Sequence, residues 1–560
     1  MSPEDALQCL IIQPKFSANN FWNYADVANS LGAKTPAPPL GLLTVAALLP
    51  QHWKLKVVDL NVREITNAEW DAADLVCVGG MLPQQEGIVN AIENAKARGK
   101  YIVVGGADPS SQPNLYNRAD ALVLGEGEAS IPIWLAAWRD GQPNGVFEAP
   151  DRPDVTTSPI PRYDLIDFKD YVHIGVQFSR GCPFNCEFCD IIELYGRVPR
   201  SKTAGQLLAE LDRLYELGYR GWVDLVDDNF IGNKRQVKPM LVALQRWSQE
   251  RNYPFYFGTE ATLNMADDDE LLTLMQQVDF RYVFMGIETP DPELLALTQK
   301  RVNSMRPIME RLDRVYAHGI SISAGFIFGF DNEKRGNDKV IIDFIEESGI
   351  VVAMVGLLVA LPNTQLVRRL QREGRLLSAD LTLFTDTESP YRIEASGIYA
   401  ENKDNQAGGL NFVTTRDRAE VYREYRNVLD AIFSPRNFMN RVLATAKRTR
   451  PFNRHKPSLS ELKREIRSLF STACWMTKNK SVRWLYWRNT LRTLFMGFDK
   501  FDYAQRMMSM FRHFERQSRY VSKQIDVNID FAINHATYPR MVAKEPLSAS
   551  LLPILQADPI

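Results

Sequence analysis

Between Leu10 and about Ala137, short apolar runs recur along the chain: LIIQP, GLLTVAALLP, LKVVDL, LVCVGG, YIVVGG and ALVLGEGE. Helical patterns alternate with them, one near 87–98. Continuous apolar strands are buried on both faces, so this rhythm predicts an open parallel sheet covered by helices. The segment 151–162 (DRPDVTTSPIPR) is rich in Pro, Asp and Thr and reads as a linker. A second series follows, with strands predicted near 173–179, 222–226, 254–259, 281–287, 321–328 and 351–359. Helical patterns at 204–217, 236–249, 268–278, 305–318 and 338–347 separate them. Strand–helix units repeating every ~35 residues predict a partial (β/α)6 barrel of the TIM type. Beyond Arg375 the chain becomes irregular and then helical.

The predicted class is therefore α/β with three parts. Residues 1–150 form a Rossmann-like open-sheet domain and 151–170 a linker. Residues 171–375 form the partial barrel, and 376–560 a mostly helical, basic and aromatic domain.

Composition adds limits. At 45% hydrophobic and 24% charged residues, the chain is neither a disordered nor a fibrous protein. MSPEDALQCLIIQP has no basic segment ahead of its apolar run, and stretches such as 322–330 are too short to span a bilayer, so a cytoplasmic protein is expected. The net charge of −2 hides an asymmetry: 441–523 carries 20 Lys+Arg against 5 Asp+Glu, a balance of +15. Such a block points to an anionic partner. Arginines there interleave with Trp475, Trp484, Tyr486, Trp487, Phe495, Phe498, Phe501, Met507, Met508, Phe511 and Phe514. Two readings fit: a peripheral contact with the inner membrane surface, or a helical lid packed on the barrel. No nucleic-acid module accompanies the charge, and no nucleic-acid partner is expected.

Six cysteines are present, and three stand within eight positions as Cys182-Pro-Phe-Asn-Cys186-Glu-Phe-Cys189, after the first strand of the second series. Three thiolates on one loop can hold three irons of a 4Fe-4S cluster and leave the fourth iron open to a small molecule. A structural zinc site needs a fourth ligand, and His173 is the one His or Cys within 15 residues. Cys9, Cys77 and Cys474 read as small core residues. Tyr195, Arg197 and Arg200 follow the loop and either line the barrel mouth or are solvated.

Through SRGCPFNCEFCD at 179–190, the sequence resembles the radical S-adenosylmethionine (SAM) superfamily. The resemblance implies that the open iron binds SAM, and that an electron from a donor such as flavodoxin or ferredoxin splits the sulfonium bond to give a 5'-deoxyadenosyl radical. It also implies SAM contacts at strand ends: Asp227, Asp228 and Asn229 after the second strand, Glu260 in GTEA, Glu288 in MGIE, and Gly325, with Gly329, in GFIFGF. The first domain resembles the cobalamin-binding domain that precedes this barrel in one subclass, which assigns cobalamin contacts to Gly79, Gly80, Gly105, Gly106, Gly125 and Gly127. That domain holds one histidine, His52, and lacks the DxHxxG motif of methionine synthase-like domains. FWNYADVANSLGAKTPAPPLGLLTVAALLP, GGMLPQQ, SPIPRYDLI, VDDNFIGNK and GLLVALPNTQL extend the likeness to the hopanoid C-2 methylases over about 8–375. The resemblance implies a cobalamin-dependent C-methyltransferase acting on a hydrophobic, hopanoid-like lipid. The alternative is a cobalamin-dependent radical SAM enzyme catalysing cyclisation or oxidation without methyl transfer.

Overall fold

The computed structural model describes residues 3–16, 20–21, 23–376, 406 and 408–534; part of the expected third domain, 377–405, 407 and 535–560, lies outside the described residues. Five runs of the first apolar series form strands: β1 (Gln8–Gln13), β2 (Lys54–Asp59), β3 (Leu75–Gly79), β4 (Tyr101–Gly105) and β5 (Ala121–Leu124). GLLTVAALLP, expected among the strands, instead forms the helix Leu40–Leu48, because an apolar run of that length fits a buried helix as well as a strand, and the sixth strand, β6 (Gly145–Glu148), lies beyond the series. They pair in parallel in the order β2-β1-β3-β4-β5-β6. Successive residues bury into two different cores. Leu10, Ile12, Val76, Val78, Ile102 and Val104 face one layer of helices, while Cys9, Ile11, Leu75, Cys77 and Val103 join a core that runs on into the barrel. Burial on both faces is why these strands read as unbroken apolar runs.

The second series forms β7 (Ile174–Val176), a short antiparallel pair β8 (Ser179–Arg180) and β9 (Arg200–Ser201), then β10 (Gly221–Leu225), β11 (Phe255–Glu260), β12 (Phe280–Glu288), β13 (Ser321–Phe328) and β14 (Val352–Leu357). The sheet order is β14-β13-β12-β11-β10-β7, all parallel. Val223, Phe257, Val283, Met285, Ala324 and Phe326 are fully buried, as a face covered by helices requires. Alternate positions Trp222, Asp224, Tyr256, Tyr282, Phe284 and Met354 are half-buried and line the inner face.

Among the described residues five helices follow: Arg418–Ile432, Pro435–Arg448, Leu459–Lys478, Arg483–Leu494 and the 37-residue Phe498–Asn534. This region cares for two exposed parts of the barrel. Along the free edge of β14, the Val355 carbonyl accepts from Tyr425 Oη at 2.9 Å and Gln406 Nε2 at 3.2 Å. At the amino ends of the strands, Asp279 accepts from the backbone N–H of Arg454 at 3.0 Å and His455 at 2.6 Å. The lid reading therefore holds for Tyr486, Met507, Met508, Phe511 and Phe514, which are buried. It fails for Trp484, Trp487, Phe495 and Phe498, which are exposed. Cys474, expected in the core, is also exposed, because the helical period sets it four residues after exposed Phe470. Among the described residues, no helix is long and apolar enough to cross a membrane.

Candidate active site

β8 and β9 bracket residues 181–199 and so frame the cysteine loop. Gly181 turns at φ 92°, and a Cβ there would stand 2.9 Å from the Gly196 carbonyl oxygen, so only glycine lets the loop fold back at this point. Cys182 N–H donates to that same carbonyl at 3.2 Å, and Cys189 N–H donates to the Cys186 carbonyl at 3.2 Å. All three are free thiols, and burial raises Cys186 and Cys189 above the ordinary thiol range. His173 lies at the opposite end of β7, packed at a tilt against Trp222 with ring centroids 4.6 Å apart, and does not join them. Among the described residues, no three His, Cys, Asp or Glu side chains converge on a single ion. Three uncommitted thiols from one loop, without a fourth ligand, fit a 4Fe-4S cluster with one open iron better than a one-ion zinc site.

The Asp227-Asp228-Asn229 turn after β10 is spent on holding this loop. Fully buried Asp227 accepts from Ser179 Oγ at 2.5 Å and from Phe178 N–H at 3.2 Å. Asp228 accepts from Gly181 N–H at 2.7 Å, and Asn229 Nδ2 reaches Cys182 Sγ at 3.7 Å. Burial pushes Asp227 up to about 7 and Asp228 up to about 6, despite those donors.

Glu260, at the end of β11, is different. Its side chain is exposed at the strand end, and no described residue hydrogen-bonds it. Burial first, then Asp224, Asp228 and Asp227, push it up to about 8. Asp224 lies deeper on the inner face and is pushed up to about 6 by burial. Four carboxyls thus crowd one end of the barrel, and they favour a cationic ligand.

Glu288 ends β12 in the left-handed region, at φ 67°, and is buried. Its carboxylate pairs with Lys300 Nζ at 3.0 Å. Burial disfavours the Lys300 ammonium, but Glu288, with Cys186 and Cys189 nearby, outweighs that and raises its pKa. Lys300 therefore lies within electrostatic reach of the thiols, and sequence reasoning missed it. In TQKRVN it looks like any solvated lysine; only the turn after helix Pro292–Leu297 swings it inward. Gly325 lies on β13, where a Cβ would come within 3.1 Å of the Phe284 ring. The missed Glu333 folds back so that both its oxygens accept from Gly329 N–H at 3.0 Å, fixing the turn after β13.

In the first domain, the strand order places the switch in direction between β1 and β3, where ligands of open sheets bind. Gly79, Gly80, Gly105 and Gly106 end β3 and β4 nearby. A Cβ at Gly105 would meet the Val123 carbonyl oxygen at 2.7 Å, and one at Gly106 would meet Gly80 N at 2.8 Å. Side chains are excluded because the strand ends pack backbone against backbone, and Gly106 alone of these four is exposed. Gly125 (φ 74°) and Gly127 flank Glu126 after β5. Small residues at these strand ends leave room for a ligand where open sheets bind one. His52 does not offer cobalt a lower ligand there, because it precedes β2 at the opposite edge, with Nε2 3.0 Å from the Pro3 carbonyl.

The carboxyl edges of the two sheets face each other. Glu126 and Glu128 meet Arg180, which also holds Gln177, while Arg200 binds Glu126 at 2.6 Å. Asn363, after β14, donates to the Ser111 carbonyl at 3.2 Å. Arg200 is thus an interdomain residue, not a solvated loop residue.

Residues 176–345 match the family model described as the radical SAM superfamily, and 364–527 match a domain of unknown function, DUF4070. The chain is 45% identical to an uncharacterized methyltransferase of Synechocystis sp. over 437 residues, 78% of each chain. It is 34% identical to the hopanoid C-2 methylase of Rhodopseudomonas palustris over 469 residues, 82% of this chain and 84% of that one. Among solved structures, the fold is shared with OxsB, a cobalamin-dependent SAM radical enzyme solved with aqua-cobalamin bound: TM-score 0.56, 15% identity, 96% of this chain and 84% of that one. It is also shared with TsrM, a radical SAM methyltransferase from Kitasatospora setae: TM-score 0.53, 17% identity, 66% of this chain and 76% of that one. Taken with the cysteine loop and the facing sheets, these likenesses show that the chain belongs to the radical SAM superfamily, among methyltransferases built as a Rossmann-like domain followed by a radical SAM barrel.

Proposed function

We propose that this chain methylates an unactivated carbon of a hydrophobic polycyclic lipid, C-2 of a hopanoid, using SAM, a 4Fe-4S cluster and cobalamin. The observation that carries the reading is the pair of facing carboxyl edges, with free thiols on one side and bare glycine backbone on the other. The substrate rests on the likeness to the hopanoid C-2 methylase. When bound, the cluster with SAM supplies a hydrogen-abstracting 5'-deoxyadenosyl radical and cobalamin supplies the methyl group.

The chain's own residues bind, orient and exclude water. Cys182, Cys186 and Cys189 hold the cluster, and Asp227, Asp228 and Asn229 fix their loop. Glu260, short of partners and set among like charges, accepts a hydrogen bond from the amino group of SAM or offsets its sulfonium charge. Lys300, held by Glu288, supplies a positive charge beside the thiolates. Gly325 presents strand backbone to the adenine, and Gly79, Gly80, Gly105, Gly106, Gly125 and Gly127 give cobalamin a floor of backbone. Lumen aromatics Trp222, Tyr256, Tyr282 and Phe284 keep bulk water from the reacting carbon. An electron from a flavodoxin- or ferredoxin-like donor completes the requirement.

The test is anaerobic turnover of the reconstituted protein with SAM, reductant and diploptene, with lipid profiling of a deletion strain. The expected products are S-adenosylhomocysteine, methionine, 5'-deoxyadenosine and the methylated lipid. 5'-Deoxyadenosine without S-adenosylhomocysteine would select cyclisation or oxidation instead. A deletion strain whose methylated hopanoids are unchanged would exclude the lipid.

A further inference from the structure

The helices Leu459–Lys478 and Arg483–Leu494 carry apolar residues on the wrong side for a core. On the first, Leu459, Leu462, Ile466, Leu469 and Phe470 are exposed, Leu459 at 81% and Phe470 at 71%. On the second and the turn after it, Trp484, Trp487, Leu491, Leu494, Phe495 and Phe498 are exposed, Phe495 at 88%. Both sets recur every three or four residues, so each helix shows one continuous outward stripe. The inward faces are separately satisfied by buried Thr472, Met476, Tyr486, Asn489 and Thr493.

The charges around these stripes are mostly of one sign, with exposed Asp499 after Phe498 the exception. Residues 459–498 contain two carboxylates, and both turn inward: Glu461 to His455 at 3.0 Å and Glu465 to Arg506 at 2.6 Å. Lys463, Arg467, Lys478, Lys480, Arg483 and Arg492 stay exposed. Arg488 sits over Trp484 at 5.2 Å, in the position of a guanidinium at a ring face, and Arg492 and Arg436 crowd it with like charge. Among the described residues, none of these three arginines is in an ion pair.

We infer that this two-helix face docks on the surface of a bilayer containing anionic lipid, with the aromatic and leucine stripes in the acyl boundary and the arginines among phosphates. A protein partner of ordinary surface would leave much of this cationic rim unpaired, whereas a bilayer offers an apolar plane and a dense anionic layer at matching depths. The inference deepens the lipid-substrate reading, since a polycyclic hydrocarbon must be collected where it is dissolved. It stands on the surface alone, however, and is tested without substrate.

The experiment is sedimentation of the full chain with vesicles of phosphatidylcholine and with vesicles of phosphatidylcholine mixed with phosphatidylglycerol. Binding is expected to the mixed vesicles at low salt, falling on the order of tenfold as salt approaches 1 M, where screening is nearly complete. Replacing Arg483 and Arg492 by Glu should lower partitioning on the order of tenfold or more. Replacing Trp484 and Phe495 by Ser should lower it at every salt concentration, without changing the circular dichroism melt. No binding to mixed vesicles at low salt, or equal binding by both double variants, would overturn the inference. A dimer that both double variants dissociate would overturn it too, by giving the face to a second copy of the chain. None of these outcomes bears on whether the barrel cleaves SAM, which is read separately as 5'-deoxyadenosine.

Discussion

Arg180 Nη2 lies 2.6 Å from Glu128 Oε1, and this ion pair joins the first domain to the residue two positions before Cys182. Both side chains are almost fully covered, and the pairing, with burial opposing it, drives Glu128 down to about 2. The same guanidinium reaches Glu126 at 2.8 Å. The strand-end glutamates thereby tie the glycine edge to the thiol loop, and in the proposed function they set the distance over which the methyl group is passed to the substrate.

Glu128→Gln should therefore uncouple the two half-reactions. 5'-Deoxyadenosine formation is expected to persist, while methylated product per 5'-deoxyadenosine falls roughly tenfold or more, since about 1.4 kcal/mol of lost positioning suffices for that. Product ratios from single-turnover assays check this, and an unchanged ratio would show that the clamp is only structural.

Cys182→Ala, Cys186→Ala and Cys189→Ala should each abolish SAM cleavage, because each removes one of three thiolates around the cluster. Iron content and the charge-transfer absorbance of the reconstituted protein report the cause. Retained 5'-deoxyadenosine formation in any of the three would refute the ligand set.

Cys9→Ala and Cys77→Ala should leave turnover intact. Their thiols lie 3.6 Å apart between β1 and β3, both buried on the face shared with the barrel core. The expected loss is on the order of 1 kcal/mol of stability, from a small cavity, measurable as a shift in urea midpoint.

Glu260 makes stability fall with pH. Its folded pKa of about 8 lies above the ordinary carboxyl value, so the folded state binds the proton more tightly than the unfolded chain does. That contribution is fully present below the unfolded pKa and is lost as pH rises through about 8. Glu260→Gln should thus stabilise the cofactor-free protein increasingly between pH 5 and 9, by on the order of 1 kcal/mol after allowing for solvent at the open mouth. It should at the same time weaken SAM binding by the reconstituted protein. Melting curves of both proteins across that range provide the check, and parallel curves would count against a strained carboxyl.

The sequence by itself determined much of this protein. Most of the continuous apolar runs in the first series and the strand–helix units in the second specify two parallel sheets, because burial on both faces accommodates such strands, but GLLTVAALLP is as apolar and folds as the helix Leu40–Leu48. CPFNCEFC specifies three thiolates on one loop, since that spacing needs no distant partner. What it left open depends on groups far apart in the chain. Whether Asp227 and Asp228 face a ligand or the loop backbone was decided by where Ser179 and Gly181 fall after β7. Lys300 acquired its place only when the turn after helix Pro292–Leu297 brought it to Glu288 and the thiols. Glu126 and Glu128, strand-end residues in ALVLGEGE, became a domain clamp only once Arg180 and Arg200 stood opposite them. The basic aromatic stretch divided in the same way: helical period fixes which residues share a face, but only docking onto the barrel decides which face is covered and which remains exposed.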